Sequence, residues 1–258
     1  MELNSNNYFS AEANAAYWSV SQFKAFNKCE AAGLAEATGE YQREETDALL
    51  IGSYVDAYFA GTADEFAQEH KDQMYSKRGG GLLAKFKQAD DMIEAVKRQP
   101  MMMEYLTGEK QAIMTAELFD VPWKIKMDVC TENRIVDLKT VKDFGDIWDP
   151  NYGRRSWIEA WGYDIQGAIY QKVVELNTGD KLPFYIVAVT KERVPDVNVI
   201  EIPQHVLDAA YHMVEAKIER FNLIKTGDVE PIWCGGCDYC KTHKIIKEPM
   251  VYEVEEAK

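Results

Sequence analysis

The sequence is 258 residues long, which is enough for one elaborated domain to bury a substantial core without disulfide bonds. Hydrophobic residues make up 47% of it and charged residues 28%, a balance that excludes a disordered chain. The net charge of −14 argues against a surface that binds polyanions indiscriminately, so any contact with nucleic acid must be local. No apolar stretch is long enough to span a membrane, and the N-terminus lacks the features of a signal peptide, so we expect a cytoplasmic protein without a membrane partner.

The first part of the chain is predicted to be helical. Hydroxyl residues suited to an N-cap open a helix that we expect over 21–38, and this helix carries Cys29. A second helix is predicted over 47–59, where apolar side chains recur at helical spacing and Gly61 provides the stop. The second helix carries Asp56.

A glycine-rich connection at 77–81 separates these helices from the next one. Apolar residues recur at helical spacing over 82–96, and Pro100 is expected to end that helix. The three consecutive methionines at 101–103 are expected to fill the core.

From residue 111 the hydrophobic pattern changes to the two-residue period of β-strands. Short polar turns between the apolar runs favour an antiparallel meander. The predicted strands are 112–119, 123–129 and 135–140, with turns at 120–122 and 131–133.

The remaining elements alternate between helix and strand. A long helix is expected over 156–176. The nearly all-apolar run at 184–190 is typical of a central strand covered on both faces, and 197–202 is its predicted neighbour. A last helix follows Pro203 and ends at Gly227.

These elements predict an α/β (α+β) fold with a central mixed β-sheet flanked by helices. We interpret 1–258 as a single domain. It comprises an N-terminal helical region over about 17–107, a core over about 111–202, and a C-terminal helix with a cysteine motif over 203–258.

Two aspartates and a lysine stand on the second and third predicted strands. If a tight hairpin is centred on 132–133, Asp128 lies opposite Asp137 with their Cβ atoms about 5 Å apart on one face. Lys139, two residues beyond Asp137, points the same way. Like charges so placed favour a shared cation, and Mg²⁺ or Mn²⁺ needs few protein ligands besides waters and phosphate oxygens. The pattern predicts a phosphodiester-hydrolysing site in which Lys139 orients the attacking water. The alternative is an exposed β face on which Lys139 pairs with one aspartate.

Motifs from Tyr17 to Cys240 resemble, in order, those of the PD-(D/E)XK nuclease superfamily. Within it they resemble the exonuclease VIII (RecE-like) and RecB-like nucleases of phages and prophages. The matching segments are Ser19 to Phe23 for the N-terminal helix motif, Gly52 to Ala57 for the G-x-x-x-H element, Met127 and Asp128 for the PD element, Asp137 to Lys139 for the (D/E)-x-K element, and Gln166 to Tyr170 for the Q-x3-Y motif. Met127 replaces the motif's proline, and Asp56 replaces its histidine.

The resemblance implies a restriction-endonuclease-like core and an Mg²⁺- or Mn²⁺-dependent deoxyribonuclease. It further implies an exonuclease that acts in phage-type recombination or DNA processing. Asp128, Asp137 and Asp56 would bind the metal, with a carboxylate in place of the imidazole favouring a harder ion. Gln166 and Tyr170 would lie beside the metal cleft and contact either DNA or the groups around the ligands, and the alternative is a buried amide and aromatic pair. DNA is the expected partner, and a single-strand annealing protein and further copies of the chain are the other partners considered.

Several residues near these motifs have two readings. Glu117 on the preceding strand could supply a further metal or water ligand, or it could be a surface glutamate. Lys142, Arg154 and Arg155 could hold phosphates, or they could belong to an ordinary solvated loop. Cys130, beside the active strand, is expected to be a buried structural thiol.

Three cysteines near the C-terminus, Cys234, Cys237 and Cys240, form a C-x2-C-x2-C pattern. Thiolates so spaced bind soft metals and need a fourth ligand to complete a Zn²⁺ or iron–sulfur site. Cys29 is the best candidate, partly because RecB-like nucleases bind a [4Fe-4S] cluster with one N-terminal and three C-terminal cysteines. The resemblance favours the iron–sulfur cluster, and Zn²⁺ is the alternative. His243 could replace Cys29 in a local zinc knuckle.

Two other functions remain open. One is a non-catalytic DNA- or partner-binding module that keeps the nuclease fold and the cysteine-bound metal. The net acidity and the substitution at Asp56 favour it, whereas retention of Asp128, Asp137 and Lys139 speaks against it. The other is a zinc-stabilised interaction protein whose carboxylates are incidental.

Overall fold

A computed structural model describes residues 1–76, 81–149, 152–246 and 248–249 of the chain. Of the glycine-rich connection predicted at 77–81, Gly81 alone belongs to these residues, and the rest of it lies outside them. No helix among the described residues combines the length and the apolar character that a membrane crossing requires.

Helices make up the part of the chain that precedes the sheet. Among the described residues they are α1 (Ala11–Ala16), α2 (Val20–Lys28), α3 (Glu30–Thr38), α4 (Asp47–Ala60), α5 (Ala63–Glu69), α6 (Lys71–Met74), α7 (Ala84–Lys97) and α8 (Pro100–Tyr105). The hydroxyl of Ser19 accepts a hydrogen bond from the backbone of Gln22 and so caps α2, as the sequence predicts. The helix predicted over 47–59 is confirmed by α4, which ends at Gly61.

Strands and helices alternate in the second part of the chain. They are β1 (Glu109–Leu118), β2 (Val121–Cys130), β3 (Ile135–Val141), β4 (Ile147–Asp149), β5 (Gly153–Arg155), α9 (Trp157–Ala160), α10 (Tyr163–Thr178), β6 (Phe184–Thr190), β7 (Val197–Glu201), α11 (Gln204–Thr226) and α12 (Asp238–Thr242). One sheet has the strand order β1-β2-β3-β6-β7, and β4 pairs with β5 in a separate hairpin. The predicted antiparallel meander is β1-β2-β3, β6 runs parallel to β3, and β7 runs antiparallel to β6. The prediction of a mixed central sheet is therefore confirmed.

Helices cover both faces of this sheet. On one face α2, α10 and α11 pack against the strands around Phe23, Ile169 and Val214. On the other face α4, α7 and α8 pack around Val55 and Met92. Because β6 lies between the two layers, it is almost wholly apolar, as its sequence predicts.

The helix predicted over 21–38 is in fact two helices. The backbone leaves helical geometry at Cys29, whose φ of −164° and ψ of 115° are extended, so α2 ends and α3 begins there. The two helices approach closely at Gly33, where a Cβ would lie 2.6 Å from the backbone nitrogen of Phe26. Hydrophobic spacing does not reveal this break, because apolar residues continue on both sides of it.

The helix predicted over 156–176 is also divided. It consists of α9 and α10, with Trp161 and Gly162 at the junction. Gly162 has a φ of +64°, a left-handed conformation that glycine adopts without the steric cost of a side chain. Two helices therefore meet at an angle beside the sheet, where the sequence predicts one continuous helix.

The turn between β1 and β2 is shorter than predicted. Phe119 and Asp120 have positive φ values of 56° and 60°, as the two central residues of a type I′ turn do. Pro122 therefore belongs to β2, and its assignment to the turn is wrong.

Pro100 opens a helix, whereas the sequence analysis expects it to end one. The preceding helix α7 ends at Lys97, and Pro100 is the first residue of α8, where the missing N–H costs nothing. Of the three methionines that follow, Met102 is buried, whereas Met101 and Met103 are exposed. The prediction that the whole run fills the core is wrong, because a short surface helix buries one side alone.

Candidate active site and cysteine cluster

The backbone pairing of β2 with β3 ends where the two aspartates stand. Two residue pairs of the hairpin have the predicted register. Asp128 and Asp137 come next along the strands. There the carboxylate of Asp128 takes the place of backbone-to-backbone hydrogen bonds. Its Oδ2 accepts a hydrogen bond from the backbone nitrogen of Leu138 at 2.8 Å, and its Oδ1 accepts one from Gln111 at 3.3 Å.

A backbone irregularity accompanies this opening. Gln111, which faces Asp128 from β1, has a φ of +54°. On β2, Met127 packs with the α10 layer, whereas Val129 packs with the α4 layer. Residues two apart on a regular strand share a face, so β2 changes face at Asp128. The aspartate therefore lies at an opening in the sheet and not on a flat surface.

Asp137 is the most deeply buried member of the cluster, with 2% of its surface exposed. Its Oδ1 accepts a hydrogen bond from Nε2 of Gln166 at 2.7 Å, and its Oδ2 forms an ion pair with Nζ of Lys139. The ion pair shows that the side chains of Asp137 and Lys139 point the same way. Lys139 retains 20% exposure and so reaches solvent from the buried carboxylate.

Asp56 reaches this cluster from α4. The helix approaches β3 closely at Gly52, where a Cβ would lie 2.8 Å from Oγ1 of Thr140. Asp56 follows one turn later, and its Oδ1 is sealed from solvent without a hydrogen-bond partner among the described residues. In the same part of the chain, Oδ2 of Asp137 makes no hydrogen bond beyond its ion pair. A buried acceptor without a partner is costly, so the Asp56 oxygen in particular fits a site that binds a cation.

The carboxylates of the cluster disfavour one another's charge. Burial, followed by the neighbouring charge of Asp137, raises the pKa of Asp128 to about 6. Burial and the charge of Asp128 also raise the pKa of Asp56. Burial acts to lower the pKa of Lys139, but Asp137 and Asp128 outweigh it and the net shift is upward. Lys139 is therefore held as a cation among acidic groups that repel one another.

Gln166 and Tyr170 share one face of α10, as their spacing predicts. Gln166 holds Asp137, and the hydroxyl of Tyr170 donates to the carbonyl oxygen of Lys126 on β2 at 3.0 Å. Each of the two side chains is 8% exposed. Both side chains therefore connect the cluster to α10, and both are buried.

Glu117 does not join the cluster. It is exposed and pairs with Pro122 near the turn of the β1-β2 hairpin. Six residues of extended strand, or about 20 Å, separate it from Gln111 beside Asp128. Its expected role as an additional ligand is incompatible with that position.

The basic residues after β3 lie on exposed parts of the chain. Lys142 is 95% exposed and stands 3.5 Å from Asp143. Arg154, on the β4-β5 hairpin, pairs with Asp146 at 2.7 Å. Their contact with phosphates stays a prediction.

The sequence analysis missed three residues of the cluster. Gln111 is one, and its contact with Asp128 depends on a backbone irregularity that has no local signal. Tyr163 is the second, with its ring centre 5.2 Å from Nζ of Lys139, and its position three residues before Gln166 on the same helix face could have indicated it. Lys24 is the third, and its Nζ lies 5.4 Å from the same ring centre.

Four cysteines from opposite ends of the chain form a second cluster. The sulfur atoms of Cys29, Cys234, Cys237 and Cys240 all lie within 4.8 Å of one another. The sulfur of Cys240 is 3.6 Å from that of Cys29 and 3.7 Å from that of Cys234. All are free thiols. The predicted cluster of four is confirmed, and it could bind a metal. Cys130 lies apart from it and is buried, as expected.

Cys29, and not His243, completes the set. Nδ1 of His243 lies 2.8 Å from the carbonyl oxygen of Tyr239, within its own helical turn. A further tie reinforces the junction: the carboxylate of Glu30 pairs with Arg220 at 2.8 Å and accepts a hydrogen bond from the backbone of Ile232 at 2.7 Å. The start of α3 is therefore attached to α11 and to the segment that carries the cysteine motif.

A family model described as a PDDEXK-like domain of unknown function (DUF3799) matches residues 19–243. The match includes the carboxylate cluster and all four clustered cysteines. The chain belongs to this PDDEXK-like family.

Solved structures agree with this assignment. The chain is similar to the crystal structure of a "Putative exonuclease" from Eubacterium rectale, with 42% identity, a TM-score of 0.92 and 97% coverage of both chains. It also matches the crystal structure of SSO0001 at 13% identity, covering 86% of this chain and 93% of that one. The TM-score of 0.30 is too low to indicate a shared fold. No curated protein matches the sequence.

Proposed function

We propose that the protein is a divalent-metal-dependent DNA nuclease whose reactive groups are Asp128, Asp137 and Lys139. The observation that carries the proposal is the convergence of these side chains with Asp56, whose buried Oδ1 has no hydrogen-bond partner among the described residues. Such a cluster is costly for stability, and strongly perturbed acids gathered with a lysine are typical of functional sites. Membership of the PDDEXK-like family supports the proposal, as does the name of the Eubacterium rectale neighbour.

Asp56, Asp128 and Asp137 would hold the metal. Oxygen ligands suit Mg²⁺ and Mn²⁺, and aspartate at position 56 makes the set all oxygen. When bound, the ion polarises the phosphate and lowers the pKa of a bound water. Within the chain, Gln166 fixes Asp137 and the backbone of Leu138 fixes Asp128, so the ligands keep their directions without the ion.

Lys139 supplies the positive charge that does not come from a metal. Its pKa is raised, so its ammonium stays protonated at neutral pH. Because the side chain retains 20% exposure, it can donate hydrogen bonds to a phosphate oxygen and to the attacking water. The ion pair with Asp137 and the Tyr163 ring hold the ammonium in place.

We further propose exonucleolytic action in phage-type recombination or DNA processing. The resemblance to exonuclease VIII and RecB-like nucleases supports DNA as the substrate, and the name of the Eubacterium rectale neighbour supports an exonuclease. An annealing partner, a homo-oligomer and a cytoplasmic location stay predictions.

The test is digestion of linear duplex DNA with Mg²⁺ or Mn²⁺. We expect wild-type protein to release nucleotides from linear DNA but not from covalently closed circles. Lys139→Met should slow digestion by about 100-fold or more. Lys97→Met, which removes a lysine on α7 that pairs with Glu94, serves as the charge-matched control and should be as active as wild type. If folded wild-type protein degrades no DNA with either metal, the non-catalytic binding module is supported instead.

For the cysteine cluster we propose a bound metal that joins the α2-α3 junction to the C-terminal segment. A single tetrahedral Zn²⁺ with Zn–S bonds of about 2.3 Å separates its thiolates by about 3.8 Å. The observed sulfur distances of 3.6 and 3.7 Å favour such an ion, although the resemblance favours a [4Fe-4S] cluster, whose irons hold the thiolates further apart. Metal analysis of anaerobically purified protein decides between them: one zinc per chain, or iron with acid-labile sulfide and a visible absorption band.

A further inference from the structure

Lys24 projects from α2 into a site built by the junction of α9 and α10. Its Nζ donates to the carbonyl oxygen of Trp161 at 3.1 Å and lies 5.4 Å from the centre of the Tyr163 ring. Gly162 stands between these two residues, and a Cβ there would lie 2.8 Å from Cδ of Lys24. The missing side chain at Gly162 therefore leaves the room that the lysine stem occupies.

Lys24 and Lys139 share the Tyr163 ring. Nζ of Lys139 is 5.2 Å from the ring centre. Burial, followed by the charge of Lys139, lowers the pKa of Lys24 to about 8, and Asp137 opposes this shift. Both ammonium groups lie near this ring, and their like charges repel each other.

Lys24 is compensated only in part by the charges of Asp137 and Asp164, which burial and the charge of Lys139 outweigh. It forms no ion pair with the acidic residues in the part of the chain that the structure describes. Its ammonium has three donors, of which the carbonyl of Trp161 takes one, and its side chain is half-buried and so partly open to solvent. With one donor taken, the ammonium can still donate to a further anion.

We propose that Lys24, fixed by the junction at 161–163, binds a backbone phosphate of the DNA strand adjacent to the phosphate at Lys139. This inference rests on the proposed function and adds a phosphate subsite to it. A polyanion that lies across both ammonium groups attracts each of them, and this attraction offsets their mutual repulsion. The indole of Trp161, 58% exposed beside this cation, offers a face on which a base of the same strand can stack. In a chain with a net charge of −14, this pair of lysines offers a local contact of the kind that binding a nucleic acid requires.

The salt dependence of DNA binding tests this proposal. A labelled oligonucleotide is titrated with wild-type protein and with Lys24→Met over a range of KCl concentrations, with Ca²⁺ in place of Mg²⁺ to prevent digestion. Loss of one phosphate contact should reduce the slope of log K against log [KCl] by about 0.7 for a single strand and about 0.9 for a duplex. In digestion assays with Mg²⁺, KM should rise about tenfold, as expected for one charge-assisted hydrogen bond, while kcat changes by less than about twofold.

Lys28→Met is the matched control. Lys28 lies one turn further along α2 and is exposed. Its replacement by methionine removes the same charge from the protein. It should keep the wild-type slope and KM. Lys24→Gln, with a melting curve for each variant, provides a second neutral side chain in case Lys24→Met does not fold.

Two results would overturn the phosphate subsite. One is a folded neutral variant at position 24 that keeps the wild-type slope and KM. The other is an equal loss of slope at Lys24 and Lys28, which would mean that charge anywhere on α2 contributes. Failure of the proposed nuclease is distinguishable, because wild-type protein would then digest no DNA at all while the binding slopes could still be measured.

Discussion

Individual side chains at the carboxylate cluster are placed at a cost to stability. Asp137 is almost fully buried, and Lys139 is the one cation in ion-pair contact with it among the described residues. Asp56 has a buried oxygen that finds no hydrogen-bond partner in the described part of the chain, and it lies beside another acid. Breaking a buried pair by removing one member leaves an uncompensated charge, whereas removing an unpaired buried charge relieves one. Replacing Lys139 and replacing Asp56 should therefore change the stability of the fold in opposite directions.

Lys139→Met should destabilise the fold by about 3 kcal/mol, because it leaves Asp137 buried without its cation. Urea unfolding without added Mg²⁺ measures this change. The double variant Asp137→Asn with Lys139→Met removes both charges and should recover most of the loss. A double variant no more stable than Lys139→Met alone would show that the ion pair does not account for the loss.

Asp56→Asn should stabilise the fold while abolishing metal-dependent activity. The amide removes a like charge and can donate a hydrogen bond to its acidic neighbours, a gain of about 1 kcal/mol, or a rise in Tm of about 3 °C. Differential scanning fluorimetry without added Mg²⁺ and the digestion assay measure the two effects. Asp64→Asn, on an exposed position of α5, should change neither quantity. A lower Tm for Asp56→Asn would contradict the view that this aspartate is held under strain.

The helices α2, α3, α9 and α10 are interrupted where their side chains must reach another element. The break at Cys29 presents its sulfur to the C-terminal thiols, and the junction at Gly162 places a carbonyl oxygen and a ring around Lys24. Both breaks depend on a close approach that a Cβ would prevent. Gly33 and Gly162 therefore matter because they lack a side chain, which allows the neighbouring atoms to approach.

Gly33→Ala should destabilise the protein by about 2 kcal/mol, because the added Cβ would lie 2.6 Å from a backbone atom of Phe26 that cannot move aside cheaply. We also expect a lower content of metal in the cysteine cluster, since the shift displaces Cys29. Gly81→Ala is the control: a Cβ there meets nothing within 4 Å, so its stability should be close to that of wild type. Equal stabilities for the two variants would show that the α2-α3 crossing is not tight.

At the scale of the whole molecule, the cysteine cluster and the contacts of Glu30 join the start of α3 to α11 and to residues 232–240. Contacts between segments so distant in sequence restrict the unfolded chain most when they are covalent or metal-mediated. The carboxylate cluster is formed by other residues and does not include these contacts. Metal in the cysteine cluster is therefore expected to stabilise the protein without taking part in the chemistry.

Cys29→Ser should lower the metal content of the purified protein and reduce its Tm by about 5 °C, because it removes one ligand and one cross-chain tie. Metal analysis and thermal melting measure the two changes. His243→Ala should leave the metal content unchanged, since its ring is bound within its own turn. If His243→Ala loses metal while Cys29→Ser keeps it, the ligand set is the local zinc knuckle with His243 and not the set with Cys29.

Sequence alone determined the features that depend on local period and spacing. The mixed sheet, the antiparallel meander, the shared direction of Asp137 and Lys139, and the shared face of Gln166 and Tyr170 follow from side-chain repeats of strands and helices. The spacing of the three C-terminal cysteines, together with the family resemblance, also predicts the set of four. These inferences succeed because a strand or helix orients its side chains wherever it is placed.

Tertiary structure alone decided the features in which separate segments meet. The face change at Asp128, the break at Cys29, the exclusion of Glu117 and the meeting of Lys24 with Tyr163 have no signal within their own segments. Each results from packing that brings distant residues to within a few ångströms, where van der Waals contact and charge act over distances that sequence spacing does not specify.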